Sequence, residues 1–160
     1  MTTAANQLRK IIESAKPRLL AITEQQASEK PHGEKWSLKE ILGHLIDSSG
    51  NNHQRIVRMQ EASAIGAFNY EQEHWVECQR YRLEGWTDLV HLWYFANKHL
   101  AHIAEHIDPQ SLMNVCDMGY PKPATLEFVV TDYLRHLQHH LDQIFSGVDP
   151  KERMKWEIVQ

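Results

Sequence analysis

An all-α four-helix bundle with a long crossover connection is the fold class this sequence predicts, on three observations. Apolar residues recur at helical spacing in four long stretches. Capping chemistry marks where those stretches begin. No segment shows the apolar–polar alternation of a half-buried strand. At 160 residues the chain can bury one hydrophobic core without disulfides, so a single domain spanning 1–160 is expected.

The first helix is expected from about Ala5 to Gln26, where Leu8, Ile11, Ile12, Ala15, Leu19 and Ile22 form one stripe and Pro17 predicts a kink. Pro31 and Gly33 close that region. Ser37-Leu38-Lys39-Glu40 is a capping box, so a second helix begins at Leu38 and continues through Ile41, Leu42, Leu45, Ser49, Ile56 and Met59, with Gly50 its weak point. From Ala62 to Trp86 the pattern dissolves, apart from a short helix around Glu71 to Cys78, and connections of this length often carry function. Thr87 is the expected N-cap of a third helix with the stripe Leu89, Leu92, Trp93, Ala96, Leu100, Ile103 and Ile107, and Asp108-Pro109 stops it. Gly119, Pro121 and Pro123 lead to Thr125, the expected cap of the fourth helix. The last ten residues, with Pro150 and Trp156, are expected to pack back as an extension.

Composition narrows the function. A formal charge of -4, with lysines and arginines scattered, gives no footprint for a nucleic-acid backbone. The two cysteines, Cys78 and Cys116, lack a paired metal-ligand spacing and read as ordinary small side chains of a reducing compartment. With neither a secretory pattern at the N-terminus nor a run long enough to span a membrane, a cytoplasmic protein is expected.

The chemistry concentrates in Leu134-Arg135-His136-Leu137-Gln138-His139-His140-Leu141-Asp142-Gln143-Ile144. Residues four apart on a helix lie one above the other, so His136 and His140 can offer two ring nitrogens to one metal ion. At about 100° per residue, Leu126, Val130, Tyr133, Leu137, Leu141 and Ile144 form the buried stripe. His140 falls just inside its edge, His136 slightly further round, and His139 well outside. A catalytic site of this kind uses three protein ligands and keeps one position open. His44, one turn past the Glu40 cap, flanks the second helix's stripe and by phase reaches either a neighbouring helix or solvent. The third helix offers a rival i,i+4 pair, His102 and His106, with His102 outside its stripe, His106 at the margin and His99 facing inward as a core histidine. A di-iron bundle needs Glu-x-x-His on two helices, and the only such spacing, Glu71 to His74, lies in the crossover.

Trp36-Ser37, His44 in His-Leu-Ile-Asp, Tyr70-Glu71-Gln72-Glu73-His74-Trp75, and the motif from His136 to Ile144 together resemble the DinB-like superfamily. They are most similar to its branch of bacillithiol S-transferases and relatives of mycothiol-dependent maleylpyruvate isomerase. The resemblance implies a four-helix bundle, a homodimer, and a divalent metal held by His44, His136 and His140, with nickel or zinc foremost and iron or manganese also compatible. It further implies a small-molecule thiol and an electrophilic substrate as partners, hence a thiol-dependent S-transferase. The alternatives are a metal-dependent hydrolase and a non-catalytic metal-binding stress protein. The substrate-binding candidates are Asp47, Ser48, Asn51, Asn52, Tyr70 and Trp75, although Asp47 and Asn51 also fit a solvated helix face and Trp75 a core position. Ligand histidines with an ordinary pKa near 6.5 would release the metal in mildly acidic solution.

Overall fold

The four apolar stripes become four long helices in the computed structural model, which describes residues 1–31, 35–67 and 69–148. The elements are α1 (Thr2–Leu20), α2 (Glu24–Ser28), α3 (Leu38–Glu61), α4 (Gln72–Gln79), α5 (Trp86–Glu105) and α6 (Leu126–Val148). Three two-residue strands join them: β1 (Ala64–Ile65), β2 (Val115–Cys116) and β3 (Ala124–Thr125). The expected C-terminal extension and Gly33 lie outside the described residues.

The first expected helix is two. α1 ends at Leu20, and Thr23 opens α2 with its own capping box, its hydroxyl accepting from the Gln26 N–H while the Gln26 side chain accepts from the Thr23 N–H. The Thr-x-x-Gln spacing that signals this restart was present in the sequence. Pro17 lies within α1. α3 starts at the expected capping box, where Ser37 N–H donates to Glu40 Oε2 at 2.8 Å, and runs unbroken through Gly50.

α5 begins at Trp86 with Gly85 as its N-cap, not at Thr87. The carboxylate of Glu24 on α2 accepts from the Trp86 backbone N–H at 2.8 Å, and the Trp86 indole donates to Leu19 O at 2.8 Å. A tertiary partner therefore satisfies the first turn and makes the local cap unnecessary. Of the expected α5 stripe Leu89, Trp93, Leu100 and Ile107 are buried, but the buried face extends further to one side than expected. Val90, Tyr94, Asn97 and Ala101 are buried, whereas Leu92 is 49% exposed and His99 is exposed. Polar tips take up core positions here because they find partners: Tyr94 donates to Glu13 at 2.6 Å, and Tyr133 donates to Asn97.

Packing joins α1 to α5, α5 to α3, α3 to α6, and α6 back to α1. In that ring α1 and α3 stand diagonally, as do α5 and α6, so each consecutive pair requires a connection across one end of the bundle. The second of these connections carries the strands that the sequence did not suggest. β2 pairs parallel with β1 (Ala64↔Val115) and antiparallel with β3 (Cys116↔Ala124), tying the end of α3 to the entry of α6. Two-residue strands are too short to show alternation. At that entry the Thr125 hydroxyl accepts from the Phe128 N–H at 3.2 Å, the expected cap. Among the described residues no helix is long and apolar enough to cross a membrane.

One close approach fixes the loop after α4. The ring of Tyr81, buried to 2% exposure, lies where a side chain on Gly43 would be: a Cβ there would sit 2.1 Å from Tyr81 Cδ2. Gly43→Ala is expected to destabilise the protein by about 1–3 kcal/mol through overpacking. Gly50→Ala, whose added Cβ meets nothing within 4 Å, is expected to stabilise it by about 0.5–1 kcal/mol. Urea denaturation of both variants checks this, and a Gly43→Ala protein as stable as wild type would show that the Tyr81 ring is free to move.

Candidate metal centre

Two adjacent helices, α3 and α6, bring His44, His136 and His140 together with one ligand atom from each lying within 4.8 Å of the others. His44 is only 2% exposed, and the other two rings are half-buried. The ring centroids of His44 lie 5.1 Å from His136 and 4.8 Å from His140, and those of His136 and His140 are 4.5 Å apart. His139 is exposed, as its helical phase predicts.

Neighbouring side chains decide which nitrogens remain available. Gln143 Oε1 can only accept, so His140 donates to it from Nδ1–H at 3.0 Å and keeps its Nε2 lone pair. Ser48 Oγ lies 3.4 Å from His136 Nδ1, and with the hydroxyl accepting there His136 Nε2 keeps its lone pair. That Nε2 faces His44 Nε2 at 3.1 Å. Two neutral imidazoles that meet nitrogen to nitrogen must either share a proton or hold a cation between them. Ligand nitrogens about 2.0–2.1 Å from a tetrahedral zinc stand roughly 3.3 Å apart, so the donor set fits a divalent ion. Outer partners such as Ser48 and Gln143 fix the tautomer and aim of metal-binding rings.

The electrostatics favour the neutral, ligating form. Burial, followed by the proximity of His136 and His140, pushes the His44 pKa down to about 3. Burial and then His140 bring His136 to about 4, and burial also lowers His140. Competition from protons therefore begins at lower pH than the unperturbed histidine value suggests.

A polar cavity of about 360 Å³ opens on this group, with Ser48, Asn52, Arg55, Tyr70, Asp132 and Tyr133 in its wall beside His44 and His136. Of the substrate-binding candidates, Ser48, Asn52 and Tyr70 line it, and Asp47, Asn51 and Trp75 do not. Asp47 is buried beneath, accepting from Tyr81 OH and Gln79 Nε2, each at 2.6 Å. Asn51 donates to the Asp47 carbonyl at 2.9 Å. Trp75 is 39% exposed against the Tyr70 ring and does not occupy the core position considered for it. Sequence reasoning missed Arg55 and Asp132. Arg55 follows His44, Ser48 and Asn52 on the same face of α3, a spacing that could have flagged it.

His102, Glu105 and His106 form a second group of possible ligands at the end of α5. Its two histidines are exposed, and the Arg9 guanidinium binds Glu105 Oε2 at 2.5 Å, placing a positive charge where a cation would sit.

A family model described as the DinB superfamily matches residues 7–144. No curated protein is a significant sequence match. The chain is similar in structure to YfiT from Bacillus subtilis, described as a probable metal-dependent hydrolase with an unusual four-helix bundle topology. The TM-score is 0.82 at 16% identity, covering 95% of this chain and 87% of that one.

Replacing His44, His136 or His140 by alanine is expected to abolish tight binding of one divalent ion per chain, while His102→Ala and His106→Ala retain it, as read by elemental analysis after dialysis. Full metal content in both His136→Ala and His140→Ala would remove α6 from the site. In the metal-free protein the folded pKa values of His44 and His136 lie below the unfolded value of about 6.5. The unfolded chain thus binds more protons between that value and about 3, so stability is fully present above pH 6.5 and is lost as pH falls through this window. Urea titrations from pH 7.5 to 4 should show that decline, and it should flatten in His44→Gln.

Proposed function

The chain belongs to the DinB superfamily, and from that premise we propose that it is a divalent-metal-dependent hydrolase of a small polar substrate, bound in the cavity beside His44 and His136. One observation carries this reading. Three imidazoles converge, two of them, His44 and His136, line a polar cavity of about 360 Å³, and no fourth protein ligand joins the three among the described residues. A structural metal site normally closes its fourth position. A bound ion supplies Lewis acidity and lowers the pKa of a nucleophile at its open position.

The chain's own residues do the remaining work. Burial pushes the Tyr70 hydroxyl pKa up to about 12, so at neutral pH it keeps its proton and donates a hydrogen bond to a substrate oxygen. Ser48 joins Tyr70 to His136, holding the ring while the hydroxyl is engaged. Asp132 and Glu71 line the same cavity and are its carboxylates able to accept a proton. The size of the cavity favours hydrolysis, because at the small end of ligand sites it holds one small molecule and water needs little further room.

Thiol S-transfer is the second reading, and a separate cavity favours it. About 600 Å³ in volume, it is lined by Trp36, Lys30, Arg80, Glu73 and Glu77 among others, and the Trp36 ring lies 5.4 Å from the His44 ring. A zwitterionic small-molecule thiol could lodge its polar body there and bring its sulfur to the histidines, with an electrophile in the smaller cavity.

The test is a chelator titration followed by circular dichroism and activity. The metal-free protein is expected to stay helical, to melt at lower temperature and to turn over nothing, and added zinc, nickel or cobalt should restore cleavage of small esters or amides in plain buffer. Unfolding that coincides with metal loss would mark a structural site. Turnover of a halogenated aromatic only when a thiol is present would replace hydrolysis by S-transfer.

A further inference from the structure

The polar face of α3 does not end at the histidines. His44, Ser48, Asn52 and Arg55 follow one another along the wall of a single cavity, and Arg55, at 6% exposure, closes the end away from the ligand group. Eleven residues of helix separate His44 from Arg55, roughly 16 Å at 1.5 Å per residue, and an arginine side chain spans part of that distance. A molecule reaching from the histidines to the guanidinium is therefore only a few bonds long.

We propose that Arg55 is the specificity-determining residue of this site, binding a carboxylate at the far end of the substrate while the reacting group lies at His44, His136 and His140. The substrate class is a short monocarboxylic acid carrying a hydrolysable or electrophilic group a few carbons from its carboxylate. This inference rests on the reading of the three histidines as the reacting end of the cavity.

Three arguments carry it. A buried arginine lining a cavity keeps its charge at any physiological pH and presents five donors in a planar fork that matches a carboxylate. Arg55 is also engaged within the protein, so a bound carboxylate shares the guanidinium with that contact. Tyr70 and Asn52, neutral groups in the same wall, can complete the hydrogen bonding of a bound anion. Glu71 and Asp132 also line the cavity, and their repulsion is stronger for a phosphate dianion than for a single carboxylate.

The experiment uses glutaramate, the monoanionic monoamide of glutaric acid, its neutral diamide glutaramide, and inorganic phosphate as probes, titrated calorimetrically into metal-loaded and metal-free full-length protein. Wild type is expected to bind glutaramate at least tenfold more tightly than glutaramide and more tightly than phosphate. Arg55→Gln should lose at least tenfold in glutaramate affinity and leave glutaramide unchanged, and Arg55→Lys should recover only part of the loss because it cannot bind bidentately. The metal-free titration separates this inference from the reading beneath it. A glutaramate preference that persists without metal and vanishes in Arg55→Gln supports Arg55 even if the histidines bind no ion. Equal binding of glutaramate and glutaramide by wild type, a preference for phosphate, or unchanged glutaramate affinity in Arg55→Gln would overturn the proposal. Should Arg55→Gln fail to fold, the wild-type comparison of the acid with its diamide decides alone.

Discussion

Desolvating an imidazole, a carboxylate and a guanidinium on one helix costs several kcal/mol unless each finds a partner, and α3 buries His44, Asp47, Ser48, Asn51, Asn52 and Arg55 within about three turns. The neighbouring segments are arranged around that requirement. Asn51 and Asn52 turn back to carbonyls of their own helix at 2.9 Å. Asp47 is served from outside by Tyr81 and Gln79, which draws the segment after α4 down onto α3 and makes Gly43 obligatory beneath the Tyr81 ring. Ser48 holds His136, so α6 docks with its histidines facing α3. Among the described residues His44 Nδ1 and Asp47 Oδ2 find no hydrogen-bond partner although buried, a cost concentrated one turn apart beside the site.

The ring order α1–α5–α3–α6 turns this local demand into a topology. α1 and α3 stand diagonally, as do α5 and α6, so their connections cross one end of the bundle, while the adjacent α3 and α5 are joined through α4, and all three connections contain elements of their own. Those elements are where the site gains its outer wall. Tyr70 and Glu71 come from the segment before α4, and Met118 from the one that follows β2. The small sheet holds that wall in register: β2 pairs with the strand after α3 and with the strand that leads into α6, so the two site-bearing helices and the lining loops are tied at one end.

How much of this was legible in the sequence depended on whether a helix has one buried side or several. α6 has one, and its apolar stripe correctly placed His136 and His140 at the inner edge and His139 outside. α3 is enclosed by α5, α6, α4 and the turn at Tyr81, so nearly every residue from Leu38 to Asn52 is buried and phase could not say where His44 points. The resemblance to a family supplied that ligand instead. On α5 the apolar pattern placed Leu89, Trp93 and Leu100 in the core but missed the rest of the buried face, since Tyr94 and Asn97 hold inward positions through hydrogen bonds that hydrophobicity cannot reveal, and His99 was left exposed. Arg55 escaped notice because a charged residue on a helix normally reads as solvated. Arg55 is nonetheless only 6% exposed, a degree of burial that helical phase alone does not reveal.

The same enclosure bears on whether an ion at this site is a structural pin. α3 and α6 contribute Leu42, Leu45, Leu137 and Leu141 to one continuous core, so the apolar contacts hold them together independently of any metal. The imidazoles are oriented by Ser48 and Gln143, which need no ion to do so. The fold thus strips water from the ring nitrogens in advance and keeps them neutral below the pH at which free histidines charge. Desolvation of the ligands, ordinarily a cost of metal binding, is met during folding and offset by the apolar core around it. A site prepared in this way loses little on binding an ion and gives the fold little it lacks. On the proposed reading, that balance suits a centre whose ion acts on a third molecule, with the polar cavity beginning at His44 and His136 as the place for it.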